Sequence, residues 1–318
     1  MDNYELLCDK ISRIILGKDI LAIKKDYLSI SKQYQSESIN SRKVVDSDNL
    51  AIAYMGSRMP ETASIVYDVI ARLLDRIGSD NINSVLDIGS GTGAVEWAID
   101  TLISASVVGL EQEKSMIKYA KLLSSGLTNS VEYVNGNILS KLDSVSPCDM
   151  VIESFVLNEL NIKDTYKALD NIVSLMGKYL VLIESGTPVS YSRMMDIRSY
   201  LLDKGLKLIL PCPHSDTCGL IDDYCNFTCR VPRSKLHKAI KSAVVPYSDE
   251  KYFYLIFSKV VEPNHTSTVL RHPIYRKSCV DLKLCNSGTS ISSVTVTKSD
   301  KSGYRLAKSC KQGDVIVE

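Results

Sequence analysis

Residues 84–93 read Ser84-Val85-Leu86-Asp87-Ile88-Gly89-Ser90-Gly91-Thr92-Gly93, and their reading decides the fold. Val85, Leu86 and Ile88 form the short apolar run of a buried strand. Gly89, Gly91 and Gly93 then make a turn in which backbone comes close to a ligand, because no Cβ stands in the way. A helical run carrying the only tryptophan, Trp97, follows. Strand, glycine turn and helix together open a nucleoside-binding α/β domain. Asp87 sits in the strand end, two residues before the first glycine.

Two nucleoside cofactors fit such a turn. Gly89-Ser90-Gly91-Thr92-Gly93-Ala94 satisfies the dinucleotide pattern G-x-G-x-x-A. The longer pattern, Asp87-x-Gly89-x-Gly91-x-Gly93, is the first motif of class I S-adenosylmethionine (SAM) methyltransferases. SAM presents an ammonium and a sulfonium where a dinucleotide presents a pyrophosphate, so carboxylates near the turn suit SAM. Asp87 therefore favours it. The next strand, Ser106–Leu110, is closed by Glu111, placed where either cofactor needs an acceptor for ribose hydroxyls. A third strand, Val131–Val134, runs into Asn137 and Ile138, where a methyltransferase holds its adenine. A fourth, Asp149–Ile152, leads to Ser154. The candidate cofactor residues are Asp87, Gly89, Ser90, Gly91, Gly93, Glu111, Asn137, Ile138 and Ser154.

Around this centre the chain reads in four parts. Residues 1–80 form a helical cap: Leu6, Leu7, Ile11, Ile14 and Ile15 fall at helical spacing, and Gln33–Asp48 is a polar loop. Pro60 suits the first turn of a helix over Glu61–Ile77, whose Ile65, Val69, Leu73 and Ile77 recur every four residues and face the sheet. Residues 81–210 alternate strand and helix as a doubly wound parallel sheet requires, with further strands at Tyr179–Ile183 and Leu206–Leu210. Residues 211–259 hold a cysteine loop and a closing helix and strand. Residues 260–318 form a small β-rich part with strands at Val280–Leu284, Ile291–Thr297 and Val315–Val317. The predicted fold is thus α/β, a Rossmann-like class I methyltransferase sheet with a helical cap and a metal-linked C-terminal part.

The formal net charge of +1 conceals an asymmetry. Residues 1–205 hold 21 Lys and Arg against 27 Asp and Glu; residues 206–318 hold 17 against 10. The basic C-terminal part is suited to a polyanion. No apolar run approaches the roughly 20 residues that span a bilayer, so no membrane partner is expected. Asp2, Glu5 and Asp9 argue against a secretory signal and against an acid-poor transit peptide, which predicts a cytoplasmic location. There, the nine cysteines act as metal ligands or buried thiols rather than disulfides.

Cys212, His214, Cys218 and Cys225 lie within fourteen positions broken by Pro213 and Gly219, too broken for a helix or strand. A loop folded around an ion accounts for them. A fourth ligand comes from His214, Cys229, Cys279 or Cys285. Four thiolates favour an iron–sulfur cluster, and three with His214 favour zinc. Spacing alone leaves the metal open.

Several stretches occur here in one order: Tyr54-x3-Arg58-Met59-Pro60, the glycine turn with Trp97, VIESFVLNEL at 151–160, LVLIESGTP at 180–188, the PCPH…C…YCNF block, and Arg230-Val231-x-Arg233-Ser234. Together they resemble the methyltransferase-like family of the mitochondrial small ribosomal subunit and its bacterial relatives. That resemblance runs from about Tyr54 to Lys311. It implies a [4Fe–4S] cluster held by Cys212, Cys218, Cys225 and Cys285, the last because DLKLCNSG looks like the family's C-terminal motif. Cys229, Cys279 and Gly219 depart from the family pattern.

No catalytic base stands out. The place where adenine amino-methylases carry D/N-P-P-Y reads Glu153-Ser154-Phe155-Val156, and Asn158 and Glu159 nearby suit capping as well as chemistry. The resemblance implies a SAM-dependent methyltransferase-like protein that acts on or binds small-subunit rRNA during ribosome assembly. The alternatives are a non-catalytic SAM- and cluster-binding assembly factor and a small-molecule methyltransferase. The RNA contacts expected are Arg230, Arg233, Lys235, Lys238, Lys241, Arg271, Arg276 and Lys277, the first five oriented by the metal loop. A monomer is expected.

Overall fold

The computed structural model describes residues 2–35, 45–79, 81–140, 142, 145–261 and 265–317. The chain packs as two compact units, residues 1–180 with 229–250 and residues 181–228 with 251–318. These cut across the expected boundaries at 80, 210 and 259. Part of the expected polar loop at 33–48 lies outside the described residues.

In the first unit, α1 (Asp2–Ile15), α2 (Ile20–Gln35), α3 (Asp48–Ser57) and α4 (Met59–Ile77) precede the first strand. Ser47 caps α3 by accepting from Leu50 N–H, and Pro60 occupies the first turn of α4, where a missing N–H costs nothing. Ile65, Val69 and Leu73 of α4 are buried. α4 packs along α5 (Ala94–Leu102), the helix that the glycine turn feeds. Each such side chain contributes roughly 1.5–3 kcal/mol by burial. The cap shares one core with the α/β region: Leu7, Ile11, Ala53 and Met55 pack with Trp97, Met116 and Tyr119.

Among the strands β1 (Ser84–Ile88), β2 (Ser106–Glu111), β3 (Val131–Asn135), β4 (Cys148–Ser154) and β5 (Met176–Ser185), α5 joins β1 to β2, α6 (Lys114–Ser124) joins β2 to β3, and α7 (Ile162–Leu175) joins β4 to β5. Their order is β3-β2-β1-β4-β5. β1 pairs in parallel with β2 and with β4, and β2 in parallel with β3. The order therefore reverses at β1, between β2 and β4, which leaves a crevice at the carboxyl ends of those strands.

The second unit contains the end of β5, then α8 (Pro188–Asp203), β6 (Lys207–Leu210), a cysteine loop, and the start of β7 (Phe227–Pro232). β7 leads to α9 (Lys235–Lys241) in the first unit, and β8 (Tyr247–Ser258) returns to the second. β8 lies between β5 and β6 and runs antiparallel to β6. This corrects the expected all-parallel sheet: the chain between β6 and β8 passes through β7 and α9 and brings β8 back running against β6. β9 (Ser267–Val269), β10 (Ile274–Tyr275), β11 (Cys279–Asn286), β12 (Ile291–Thr297) and β13 (Val315–Ile316) form an antiparallel sheet. An unexpected helix, α10 (Lys301–Ser309), packs on it through Ala307. Its start is fixed by Asp300, which accepts from Gly303 N–H at 2.9 Å.

Candidate functional site

The crevice beside β1 contains a cavity of ≈ 130 Å³. Gly89, Gly91, Glu111, Asn137, Ile138 and Ser154 line it. Asp87, Ser90 and Gly93, also in the candidate set, do not; Asp87 and Ser90 are buried behind the turn. Sequence reasoning missed Tyr34 and Tyr54 from the cap, Gln112 after β2, and Phe155 and Val156 after β4. Tyr54 had already been marked by its place in the Tyr54-x3-Arg58 motif. Tyr34 had no signal, because a cap helix reaches the cleft only through tertiary packing.

The turn is held by specific contacts. Gly89 has φ +71°, and a Cβ there would lie 2.4 Å from Val156 Cγ2, so only glycine fits. Gly89 and Ser90 donate their N–H groups to the Leu110 carbonyl at 2.8 and 3.1 Å. Glu111 Oε2 accepts from Gly91 N–H at 2.9 Å, and Oε1 accepts from Glu113 N–H at 2.8 Å. After β4, Phe155 takes φ +62°, a sparsely populated conformation for a bulky residue. Glu153 Oε1 secures that loop by accepting from the N–H groups of Val156 and Leu157 at 2.7 and 3.0 Å. Asn137 Nδ2 donates to Gln112 Oε1 at 2.8 Å, joining the loops after β2 and β3.

The cleft is acidic. Its described lining includes Glu111, Glu113 and Glu159 and no lysine, arginine or histidine. Behind it, both carboxylate oxygens of Asp87 and of Glu96 are buried without a hydrogen-bond partner. Burial first, then the charges of Glu96 and Glu111, push the Asp87 carboxyl well above the usual range. Burial also pushes Glu96 to about 7. Glu159 reaches about 7 through burial and the nearby Glu111 and Glu153, although a hydrogen bond from Tyr34 pulls it down. Acids crowded this way favour a cationic ligand, which restores their ionised forms, and disfavour a pyrophosphate.

In the second unit a smaller, mostly apolar cavity of ≈ 20 Å³ is lined by Cys212, Cys218, Cys225 and Cys285 together. All four are free thiols. Among the described residues no group of three or more His, Cys, Asp or Glu side chains is set to hold a single metal ion. Cys225 and Cys285 are buried. Burial raises Cys285 to about 12, and burial outweighs the Arg198 charge to raise Cys212 to about 11. His214 Nε2 is 3.7 Å from Cys285 Sγ, but His214 does not line the cavity. Cys279 borders a separate groove with Arg276 and Asp281. Cys229 Sγ donates to the Ser64 carbonyl at 3.6 Å within the first unit. The loop closes tightly: a Cβ on Gly219 would lie 2.1 Å from the Thr289 carbonyl oxygen.

The basic residues divide into paired and unpaired groups. Arg230 pairs with Asp249, Arg271 with Asp223, Arg276 with Asp281, and Lys241 with buried Glu61. Among the described residues Arg233, Lys235, Lys238 and Lys277 have no ion pair. α9 belongs to the first unit, where His237 Nε2 donates to the Ser57 carbonyl at 3.0 Å.

A strand order that reverses beside β1, a glycine turn and an acidic cleft at the strands' carboxyl ends define a Rossmann-like α/β protein of the methyltransferase type. Residues 48–317 match the family described as mitochondrial small ribosomal subunit Rsm22, and the chain belongs to that family. It is 25% identical over 295 residues to the human ribosome assembly protein METTL17, mitochondrial, covering 85% of this chain and 63% of that protein. It is also 25% identical over 341 residues to Rsm22-cox11 tandem protein 2, mitochondrial, of Schizosaccharomyces pombe, covering 85% and 43%. The chain thus spans less than two thirds of the length of these relatives. Similar solved structures include the N-methyltransferase NodS of Bradyrhizobium japonicum WM9 with S-adenosyl-L-homocysteine (13% identity, TM-score 0.44, 74% of this chain and 99% of that chain). Another is the magnesium protoporphyrin IX methyltransferase of Synechocystis PCC 6803 with SAH (15%, 0.42, 76% and 99%). Likeness at that level bears on neither chemistry nor substrate.

The family and both relatives are mitochondrial, which overturns the expected cytoplasmic location. Among the described residues no helix is long and apolar enough to cross a bilayer.

Proposed function

We propose that this chain binds SAM in the acidic cleft, carries a [4Fe–4S] cluster on Cys212, Cys218, Cys225 and Cys285, and serves small-subunit assembly by acting on or binding rRNA. The observation that carries the reading is the cleft's lining: carboxylates and amides without a basic residue, beside a glycine turn. On this reading Glu111 accepts from the ribose hydroxyls, Asn137 and Ile138 hold the adenine, and Asp87, buried behind the turn, acts on the ligand's positive charge through its field alone. SAM would supply an electrophilic methyl group. Tyr34, Tyr54 and Phe155 add aromatic surface to the cleft, and Glu159, raised to about 7, would take a proton if transfer requires it.

The donor chemistry fits the cluster. Four thiols face one largely apolar cavity, yet they are not drawn in around a single ion. Four thiolates are the donor set of an iron–sulfur cluster, and His214, which zinc on three thiolates would need, does not line this cavity. Arg233, Lys235, Lys238 and Lys277 provide charges for an RNA backbone.

A non-catalytic assembly role is the second reading, favoured by the human relative's description as a ribosome assembly protein. Incubation with methyl-labelled SAM and small-subunit assembly intermediates separates the two. Label in rRNA supports methyl transfer; tight, salt-sensitive binding with no label supports the assembly role. Absence of SAM binding by calorimetry overturns both.

A further inference from the structure

One face of α8 stands against the thiol cavity. Tyr191, Met195 and Arg198 fall four and then three positions apart, on one side of the helix. Tyr191 and Met195 line the cavity. The Tyr191 hydroxyl donates to Cys218 Sγ at 3.2 Å. Its ring is fixed edge-on against Phe253, with centroids 5.2 Å apart, so the hydroxyl is held in place by packing.

Arg198 is only 3% exposed. Its Nη2 donates to the carbonyl oxygens of His214 and Asp216 at 2.9 and 2.8 Å, bracing the start of the cysteine loop. Its Nε is buried with no hydrogen-bond partner. No carboxylate among the described residues pairs with it, whereas Arg271 and Lys283 both pair with Asp223. A buried guanidinium without a counter-charge is costly to keep out of water, and such a group persists where an anion answers it. Thiolates beside it would be that anion.

We propose that this face of α8 tunes the thiol-held centre: Arg198 supplies the counter-charge and Tyr191 donates a hydrogen bond to the Cys218 sulfur, and together they raise its reduction potential. The inference rests on the iron–sulfur reading above. A cluster on four thiolates is anionic, and its reduced form carries one more negative charge. A fixed cation and a fixed donor in a dry cavity therefore favour the reduced form more than the oxidised one. Both are positioning residues, since neither is a ligand.

The test uses the full chain purified anaerobically, with iron and sulfide counts, visible absorption and a redox titration followed by electron paramagnetic resonance. Tyr191→Phe keeps the ring and loses the hydroxyl. It should load the same iron and sulfide as the parent and titrate at a lower potential. Arg198→Met should retain less iron and lose its cluster faster in air, and Arg198→Lys should recover much of the loading. An iron-loaded parent with an unmoved Tyr191→Phe potential overturns this inference and leaves the cluster reading standing. If Arg198→Met fails to fold, Tyr191→Phe still decides. A parent that carries zinc, or no metal, overturns both the cluster reading and this inference.

Discussion

The Gly91 N–H donates to Glu111 Oε2 at 2.9 Å, so the acid that ends β2 also holds the glycine turn that follows β1. One carboxylate thus shapes the cleft and presents an acceptor to it, because each oxygen has a second lone pair free for a ligand. Glu111→Ala should weaken SAM binding by about ten- to hundredfold, the loss of one to two hydrogen bonds to a charged group. Glu111→Gln retains an acceptor for Gly91 and should bind between the two. Isothermal titration calorimetry with SAM checks both. Equal affinity for all three proteins would confine Glu111 to holding the turn.

Glu61, His237 and Lys241 form a buried charged group that ties α4 to α9. Glu61 Oε1 lies 3.4 Å from His237 Nε2 and also meets Lys241 Nζ. Burial acts to raise the Glu61 carboxyl, but His237, Lys241 and Arg58 outweigh it and hold it down at about 2. A depressed carboxyl contributes stability that is present above its unfolded pKa, near 4.3, and is lost as pH falls toward 2. Acid unfolding followed by circular dichroism should therefore show a loss across that window. Glu61→Gln should remove it and cost about 3 kcal/mol at neutral pH, because Lys241 is left buried without its partner. A flat response between pH 5 and 2 in the parent would show that this carboxyl is not stabilising the fold.

Most of the glycine-turn half could be read from the chain because its signals are local. Asp87–Gly93 join an apolar run to a glycine turn, and both follow from residues adjacent in sequence. The cleft's other wall could not be read in this way. Tyr34 and Tyr54 reach it through the cap's shared core with Trp97, a contact set by packing between distant segments. Asp87 was taken for a lining residue, yet its burial places it behind the turn. β8 escaped as a central strand because its antiparallel entry depends on where α9 packs. α10 escaped because Gly303 reads as a breaker, while Asp300 turns that glycine's N–H into a capped helix start. The four cysteines that line one cavity were named through family resemblance; spacing had left the fourth open.

Gly219 is where the cysteine loop meets the turn between β11 and β12. A Cβ there would collide with the Thr289 carbonyl oxygen, and backbone cannot swing aside as a side chain would. Thr289 itself holds φ +66°, so the turn has little room to relax. Gly219→Ala should cost roughly 1–3 kcal/mol through overpacking and separate the loop from Cys285. Thermal melting and iron content, measured side by side, check this. An unchanged melting temperature and full iron loading would mean that the loop and turn part without penalty.

Glu159 predicts opposite trends with pH for stability and for ligand binding. Burial, reinforced by the charges of Glu111 and Glu153, raises its carboxyl to about 7 against the pull of the Tyr34 hydroxyl. A raised acid favours the folded state in its protonated form, so its stabilising share is complete below the unfolded carboxyl pKa and is lost as pH rises through about 7. A cation in the cleft prefers the ionised acid. The affinity for SAM should therefore climb between pH 6 and 8, by at most about tenfold per pH unit for each proton released. Affinity for S-adenosylhomocysteine, which lacks the sulfonium charge, should climb less. Glu96, raised to about 7 by burial behind the turn, would contribute a similar slope from the far side. Glu159→Gln and Glu96→Gln tell them apart, since the variant that flattens the SAM profile identifies the acid that the ligand ionises. Calorimetric titration across this range, repeated in two buffers of different ionisation enthalpy, counts the protons released. A level profile in the parent would mean that the cleft's acids do not answer to the ligand's charge, and the cationic-ligand reading would lose its electrostatic basis.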